Sequence, residues 1–226
     1  IGTFKYQDIT SYQEFELSLT QDMLTGHTSA NFETLVEQHL LARHSALTDS
    51  KLKEIIQELR SVDVNACGLC RAKIIEVLLR AGITVTVYGR RWECFALCDH
   101  PNFIYKGGCS MEEGIALMED SKIVLNQLAN FKDGASERIF EAMLQGAISL
   151  TDDSIYLREM FEDSTDIKFY SLSHLEALPD IIHSILSNPA LSETIRRNAY
   201  RKAAAQHTWI QRASTLLSDL SLQESV

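Results

Sequence analysis

The chain has no glycine-rich dinucleotide fingerprint, no Walker phosphate loop, no long apolar run and no excess of basic charge. Each absence removes a class of function. A dinucleotide-dependent oxidoreductase needs GxGxxG after its first strand, and the corresponding stretch reads Asn65-Ala66-Cys67-Gly68-Leu69-Cys70. Without the Walker loop an NTPase has no phosphate cradle. No segment approaches the roughly 20 apolar residues of a membrane span, and no signal peptide opens the chain, so the expected location is cytoplasmic. A formal charge of −10 disfavours nucleic acid and anionic membranes, which demand a basic face. Neither an internal repeat nor a low-complexity linker divides the chain. Its 5 cysteines, an odd number, fit a reducing compartment better than a disulfide framework.

What is present divides into two patterns. The 226 residues suffice for one well-filled α/β core and an attachment. The first residue is Ile1 rather than Met, which suggests a fragment or a processed product. Residues 1–61 read as a helical connecting segment: Phe32, Leu35, Val36, Leu40 and Leu41 form one apolar stripe, and Leu52, Ile55, Ile56 and Leu59 another. Residues 62–226 alternate. Strands are expected at 62–66, 83–88, 102–106, 122–126, 147–151 and 167–170, with helices at 70–80, 111–118, 136–145, 154–161, 179–187 and 190–206, followed by a helical end. This alternation predicts an α/β fold, a Rossmann-like parallel sheet with helices on both faces. Pro179 and Pro189 suit first helical turns, with Asn188 as a cap.

The densest information lies in residues 121–157, SKIVLNQLANFKDGASERIFEAMLQGAISLTDDSIYL. They form a strand, an acidic loop turning at Gly134, a helix opening with Ser136, Glu137 and Arg138, a stop at Gly146 and a second strand. A helix N-terminus above strand ends is a natural seat for an anion or nucleotide. Glu137 and Glu141 flank the buried face without being needed for packing. Glu141 suits the vicinal hydroxyls of a ribose; equally, Glu137 suits the helix dipole and Glu141 pairs with Arg138 three residues away. Arg138, Lys132 and the backbone N–H groups must outweigh Asp133 and Glu137 if a diphosphate binds here. Gly107-Gly108 after the third strand allows close backbone approach to a ligand, and reads as well as a plain turn.

Other constellations read as structural. Cys67 and Cys70 after the first strand, and Cys94 and Cys98 after the second, converge at one sheet edge; zinc there is the lesser reading, because the pair spacing is unusual and ordinary buried thiols explain it. Asp152 and Asp153 point in opposite directions along a strand, which argues against a shared metal. His207 and Trp209 read as packing. No metal site is expected.

The succession SKIVLN, FKDGASERIFEAMLQGAISLTDDSIYL, FYSLSHLEALPDIIHSILSNP and HTWIQRA, with RAKIIEVLLRAGITVTVYGRRWE upstream, resembles the C-terminal domain of CgeB-like (spore maturation) glycosyltransferases of the GT-B architecture. The resemblance covers about residues 62–217. It implies the donor-binding half of an enzyme that transfers a sugar from a nucleotide-diphosphate sugar, with a UDP- or GDP-sugar as donor and no tightly bound cofactor. The acceptor half would belong to the same protein, upstream. Carried over by position, Glu141 holds the ribose, Asp133 and Gly134 lie near the transferred sugar, and Asn126, Ser136 and Arg138 fall at the diphosphate and its loop. Gly89, Arg90 and Gly108 border the base, and Glu137 opens the helix beside the diphosphate. The resemblance thus gives Asp133 and Arg138 the catalytic roles. Two positions depart from the family pattern: Ser136 stands where relatives carry histidine, and Asp133 where glutamate is usual. A non-catalytic nucleotide-binding or interaction module of the same fold, docking through its N-terminal helices, is the alternative.

Overall fold

The computed structural model describes residues 9–25, 30–42, 48–129 and 131–223. Four helices come first: α1 (Ile9–Thr25), α2 (Phe32–Ala42), α3 (Asp49–Glu58) and α4 (Arg60–Arg80). Most of the described residues up to 61 lie in these helices, α4 runs on past 61, and residues 1–8, 26–29 and 43–47 lie outside the described residues. Phe15, Leu19, Leu35, Val36, Ile55 and Leu59 bury a common core among these helices. Thr48 starts α3 by accepting the Lys51 N–H.

The strand expected at 62–66 is not formed; these residues open α4. Val62, Ala66 and Cys70 are all buried, four residues apart, so their pattern is one helical face rather than a pleat. The first half of α4 closes the helical core and the second half turns Ile74, Ile75, Leu78 and Leu79 onto the sheet. Gly68 sits mid-helix with open space where a side chain would be.

Five strands follow: β1 (Val85–Val87), β2 (Phe103–Tyr105), β3 (Ile123–Leu125), β4 (Ile148–Asp152) and β5 (Lys168–Tyr170). They pair in parallel, β1 with β2, and β3 with β4 with β5. Between and after them run α5 (Met111–Glu119), α6 (Glu137–Leu144), α7 (Ile155–Met160), α8 (Leu178–Ser187), α9 (Pro189–Gln206) and α10 (Trp209–Gln223). The fold is the expected α/β arrangement of parallel sheet and flanking helices. Ser110 and Glu113 form a reciprocal capping box on α5, and Asn188 caps α9 ahead of Pro189. Gly146 ends α6 with φ +76°, a left-handed conformation that favours glycine.

β4 is the best-sheltered strand, buried at all five residues. On one side, Ile139 and Met143 of α6 pack with Leu157, Phe169 and Ala199. On the other, Leu150 and Tyr170 meet Ile74 and Leu78 of α4 and Leu178 of α8.

Candidate functional site

A cleft of about 1070 Å³ opens where the sheet is split between β1 and β3. Of the residues expected at the site, Gly89, Arg90, Gly108, Asn126, Arg138 and Glu141 line it together. Gly89, Arg90, Gly108 and Asn126 follow strands, and Arg138 and Glu141 lie on the helix after β3, so the parallel sheet gathers them at its carboxyl edge. Asp133, Gly134, Ser136 and Glu137 fall outside this lining.

Asn126 is the hub. Its side chain accepts a hydrogen bond from Arg138 Nη1 at 3.0 Å and donates to Thr151 Oγ1 at 3.3 Å, while its carbonyl accepts from the Tyr170 hydroxyl at 2.8 Å. The Arg138–Glu141 pairing weighed from the sequence is not among the ion pairs of the described residues; Arg138 instead reaches back to the end of β3. Burial, with the nearby Asp152 charge, holds the Tyr170 phenol well above its ordinary value, so it stays a hydrogen-bond donor.

Arg71 of α4 lines the same cleft, donating to Gln127 Oε1 at 3.2 Å. In the sequence it is one residue of a helical pattern, with nothing to mark it as part of a site. With Arg90 and Arg138 it brings guanidinium charge to one concave surface of a chain whose net charge is −10. Such clustering suits an anion, because guanidinium forks bind phosphate oxygens in pairs.

The acidic loop before α6 is built differently from expectation. Lys132 is not turned toward the cleft for a bound phosphate: its ammonium is buried 3.1 Å from Asp152 Oδ2. Asp152 also accepts the N–H groups of Leu128 at 2.6 Å and Ala129 at 3.1 Å. Burial pushes the Asp152 carboxyl up, against the opposing pull of Lys132 and these two N–H donors. Asp153, its neighbour, faces the other way and pairs with Arg158 at 3.0 Å, so the two carboxylates diverge as the strand pleat requires.

Asp133 is held by the side-chain amide of Asn31, whose oxygen accepts the Lys132 N–H at 2.9 Å. Asn31 immediately precedes α2 and was not singled out in the sequence, where its cap-like position gave no sign of a partner 102 residues away. Gly134 does not owe its place to a left-handed turn; a side chain there would run into the Phe131 ring. Its carbonyl accepts from Ser154 Oγ at 2.6 Å. Ser136 caps α6 by position but makes no side-chain cap bond, and Glu137 is exposed on the first turn.

Cys67 and Cys70 lie on α4 rather than after a strand, which removes the basis for their convergence with Cys94 and Cys98. Burial and the Asp63 charge push the Cys67 thiol up to about 11. His207 packs as expected, its ring stacked on Phe140 at 4.8 Å. Trp209 does not: it is 75% exposed.

The model of the family described as glycosyl transferase-like matches residues 71–218. The chain belongs to the glycosyl transferase-like family. Solved structures agree on the fold. TarM aligns over 66% of this chain and 31% of its own, at 17% identity and a TM-score of 0.51. HepE of Anabaena, in a complex with UDP-glucose, aligns over 66% of this chain and 44% of its own, at 18% identity and a TM-score of 0.55. A second HepE structure, holding UDP and glucose, aligns equally well, with a TM-score of 0.55. The chain thus spans less than half the length of these proteins. Among curated proteins, none matches significantly.

The glycosyl transferase-like match begins at Arg71 and contains every residue of the cleft rim named above, while the helical core of α1–α3 lies outside it. No helix among the described residues is long and apolar enough to cross a membrane.

Proposed function

We propose that this chain is the donor-binding part of a glycosyltransferase that takes its sugar from a nucleotide diphosphate, with the diphosphate over the carboxyl ends of β1 and β3. The observation that carries the reading is the placement of Arg138, fixed by Asn126, in one cleft with Glu141, Arg71 and Arg90. HepE, of the same fold, holds UDP-glucose in its structure, which favours UDP over GDP.

In this reading Arg138 and the N–H groups at the start of α6 stabilise the charge that grows on the departing diphosphate. Glu141 accepts hydrogen bonds from the ribose hydroxyls, and Gly89, Arg90 and Gly108 border the base. Asp133 and Gly134 lie on the sugar side, where Asp133 would exchange Asn31 for a sugar hydroxyl. The acceptor site, and any catalytic base, come from a further domain. We assign the protein to the CgeB-like branch and to the cytoplasm as part of the same proposal.

Calorimetric titration with UDP, GDP, ADP and CMP, on the parent chain and on Arg138→Ala and Glu141→Ala, tests it. Binding of one diphosphate, weakened at least fivefold by both substitutions, is the expected result. Binding that ignores both substitutions would refute the assignment. No binding at millimolar nucleotide would move the second reading ahead, a non-catalytic module. That reading draws on the engagement of Asp133 by Asn31, which ties the loop to the helical segment.

A further inference from the structure

Two consecutive side chains past the end of β3 each hold a guanidinium. Asn126 Oδ1 accepts from Arg138 Nη1 of α6 at 3.0 Å, and Gln127 Oε1 accepts from Arg71 Nε of α4 at 3.2 Å. Successive side chains of an extended segment point to opposite faces, and α6 and α4 cover opposite faces of the sheet. One guanidinium therefore reaches the carboxyl edge from each face. All four residues line the same cleft.

The two amides differ in how they are satisfied. Asn126 is buried and bonded at both ends, since its Nδ2 donates to Thr151 Oγ1 at 3.3 Å. Gln127 is bonded at one end. A guanidinium carries donors only, so Oε1 must face Arg71 and Nε2 must turn away from it. Nε2 is shut off from solvent and has no hydrogen-bond partner among the described residues. An unpaired buried N–H group weakens the folded state, and an apolar side chain of similar shape removes that penalty. Stability therefore gives no reason for an amide at position 127. What the amide does accomplish is to anchor Arg71.

The point of attachment decides what the anchored guanidinium can do. Arg71 gives Gln127 its Nε hydrogen, and neither of its Nη groups makes a hydrogen bond or ion pair among the described residues. Arg71 is an exposed side chain on a long stem, which without an anchor samples many rotamers. Held by Nε, it keeps the paired Nη edge, the fork that binds two oxygens of one phosphate.

We propose that Gln127 is a positioning residue for the diphosphate: it fixes Arg71 through Nε, so that the Nη fork of Arg71 grips the anion from the α4 face while Arg138, fixed by Asn126, grips it from the α6 face. The inference rests on the proposed donor site and gives that site a second arm. Two phosphate groups in a row suit a grip from both faces, because each guanidinium can then take oxygens of its own. The unpaired Nε2 is the loss of stability that accompanies the anchor, as happens where a local rule of folding yields to a binding site.

Calorimetric titration with UDP, together with thermal melts, tests the role on Gln127→Met, Arg71→Ala, the double variant and Arg138→Ala. Gln127→Met keeps the length of the side chain and removes both ends of the amide. UDP should bind about fivefold more weakly to Gln127→Met, as to Arg71→Ala, and the double variant should lose little more than either single one, because the two residues form one arm. The melting temperature of Gln127→Met should equal or exceed that of the parent, since the unpaired N–H is gone. A lower melting temperature would make the amide structural and overturn the proposal. Losses that multiply in the double variant overturn it too, because Gln127 would then not act through Arg71. Full UDP affinity in Gln127→Met, alongside a clear loss in Arg138→Ala, overturns this inference and leaves the donor site standing. Failure of the parent to bind UDP removes both.

Discussion

Lys132 and Asp152 form an ion pair at 3.1 Å with side chains only 11% and 1% exposed, and this pair pins the loop before α6 to the end of β4. Two backbone N–H groups, of Leu128 and Ala129, converge on the same carboxylate. A buried charge that loses its partner costs far more than a surface pair gains. Asp152→Asn should lower stability by about 3 kcal/mol, read as a shift in the urea midpoint. Lys132→Met in the same background should recover part of the loss by removing the stranded ammonium. Equal destabilisation by the single and double variants would mean that the N–H bonds, not the ion pair, carry the loop.

Asn31 binds both sides of Lys132-Asp133, donating to the Asp133 carboxylate and accepting the Lys132 N–H. Asn31→Ala should cost about 1 kcal/mol, as should Asp133→Ala. Because the two share one interaction, the double variant should cost less than the sum. Additive losses would show that the helical segment does not act on this loop through Asn31.

His207 gives a pH dependence of known sign. Burial, followed by the charges of Arg212 and Lys202, holds its imidazole below the ordinary value of 6.5. Arg212 donates to Nδ1 at 3.2 Å, which leaves the proton on Nε2, a buried atom with no partner among the described residues. As pH falls through 6.5 the unfolded chain takes up a proton that the folded protein refuses. Stability must therefore decline below that pH, by at most about 1.4 kcal/mol per pH unit for this one group. Thermal melts between pH 7.5 and 5.5 should fall more steeply for the parent than for His207→Gln. Parallel slopes would remove His207 from the account.

Arg71 bears on affinity rather than folding. It is exposed at the cleft and tied to Gln127 at the end of β3. In the proposed site Arg71→Ala should weaken UDP binding by about fivefold, roughly 1 kcal/mol, with little change in melting temperature. The loss should shrink in high salt, since the contact is solvent-facing. An unchanged dissociation constant would place the diphosphate away from α4.

Local pattern made most of the fold legible. β1, β2, β3 and β5 fall inside predicted strands, β4 runs one residue past its own, and α5 to α9 lie within a residue of their predicted bounds, because hydrophobic period and caps such as Asn188 act over a few residues. The exception is residues 62–66. Val62, Val64 and Ala66 alternate like a strand, but the contacts that decide, to Leu59 and the α1 core, favour a helical face. Gly89, Arg90, Gly108 and Asn126 follow strands, where a parallel sheet delivers its loops, but their assignment to the site, with that of Arg138 and Glu141 on α6, rests on the family resemblance.

By itself the sequence determined how residues 83–170 alternate, where α5 to α9 start and stop, and which residues follow the strands, since these depend on neighbours a few positions apart. Only the tertiary structure decided that Lys132 is buried against Asp152, that Asn31 holds Asp133, and that the sheet is open between β1 and β3. Those relationships join residues far apart along the chain, or register an edge with nothing against it, and no local pattern of polarity records either.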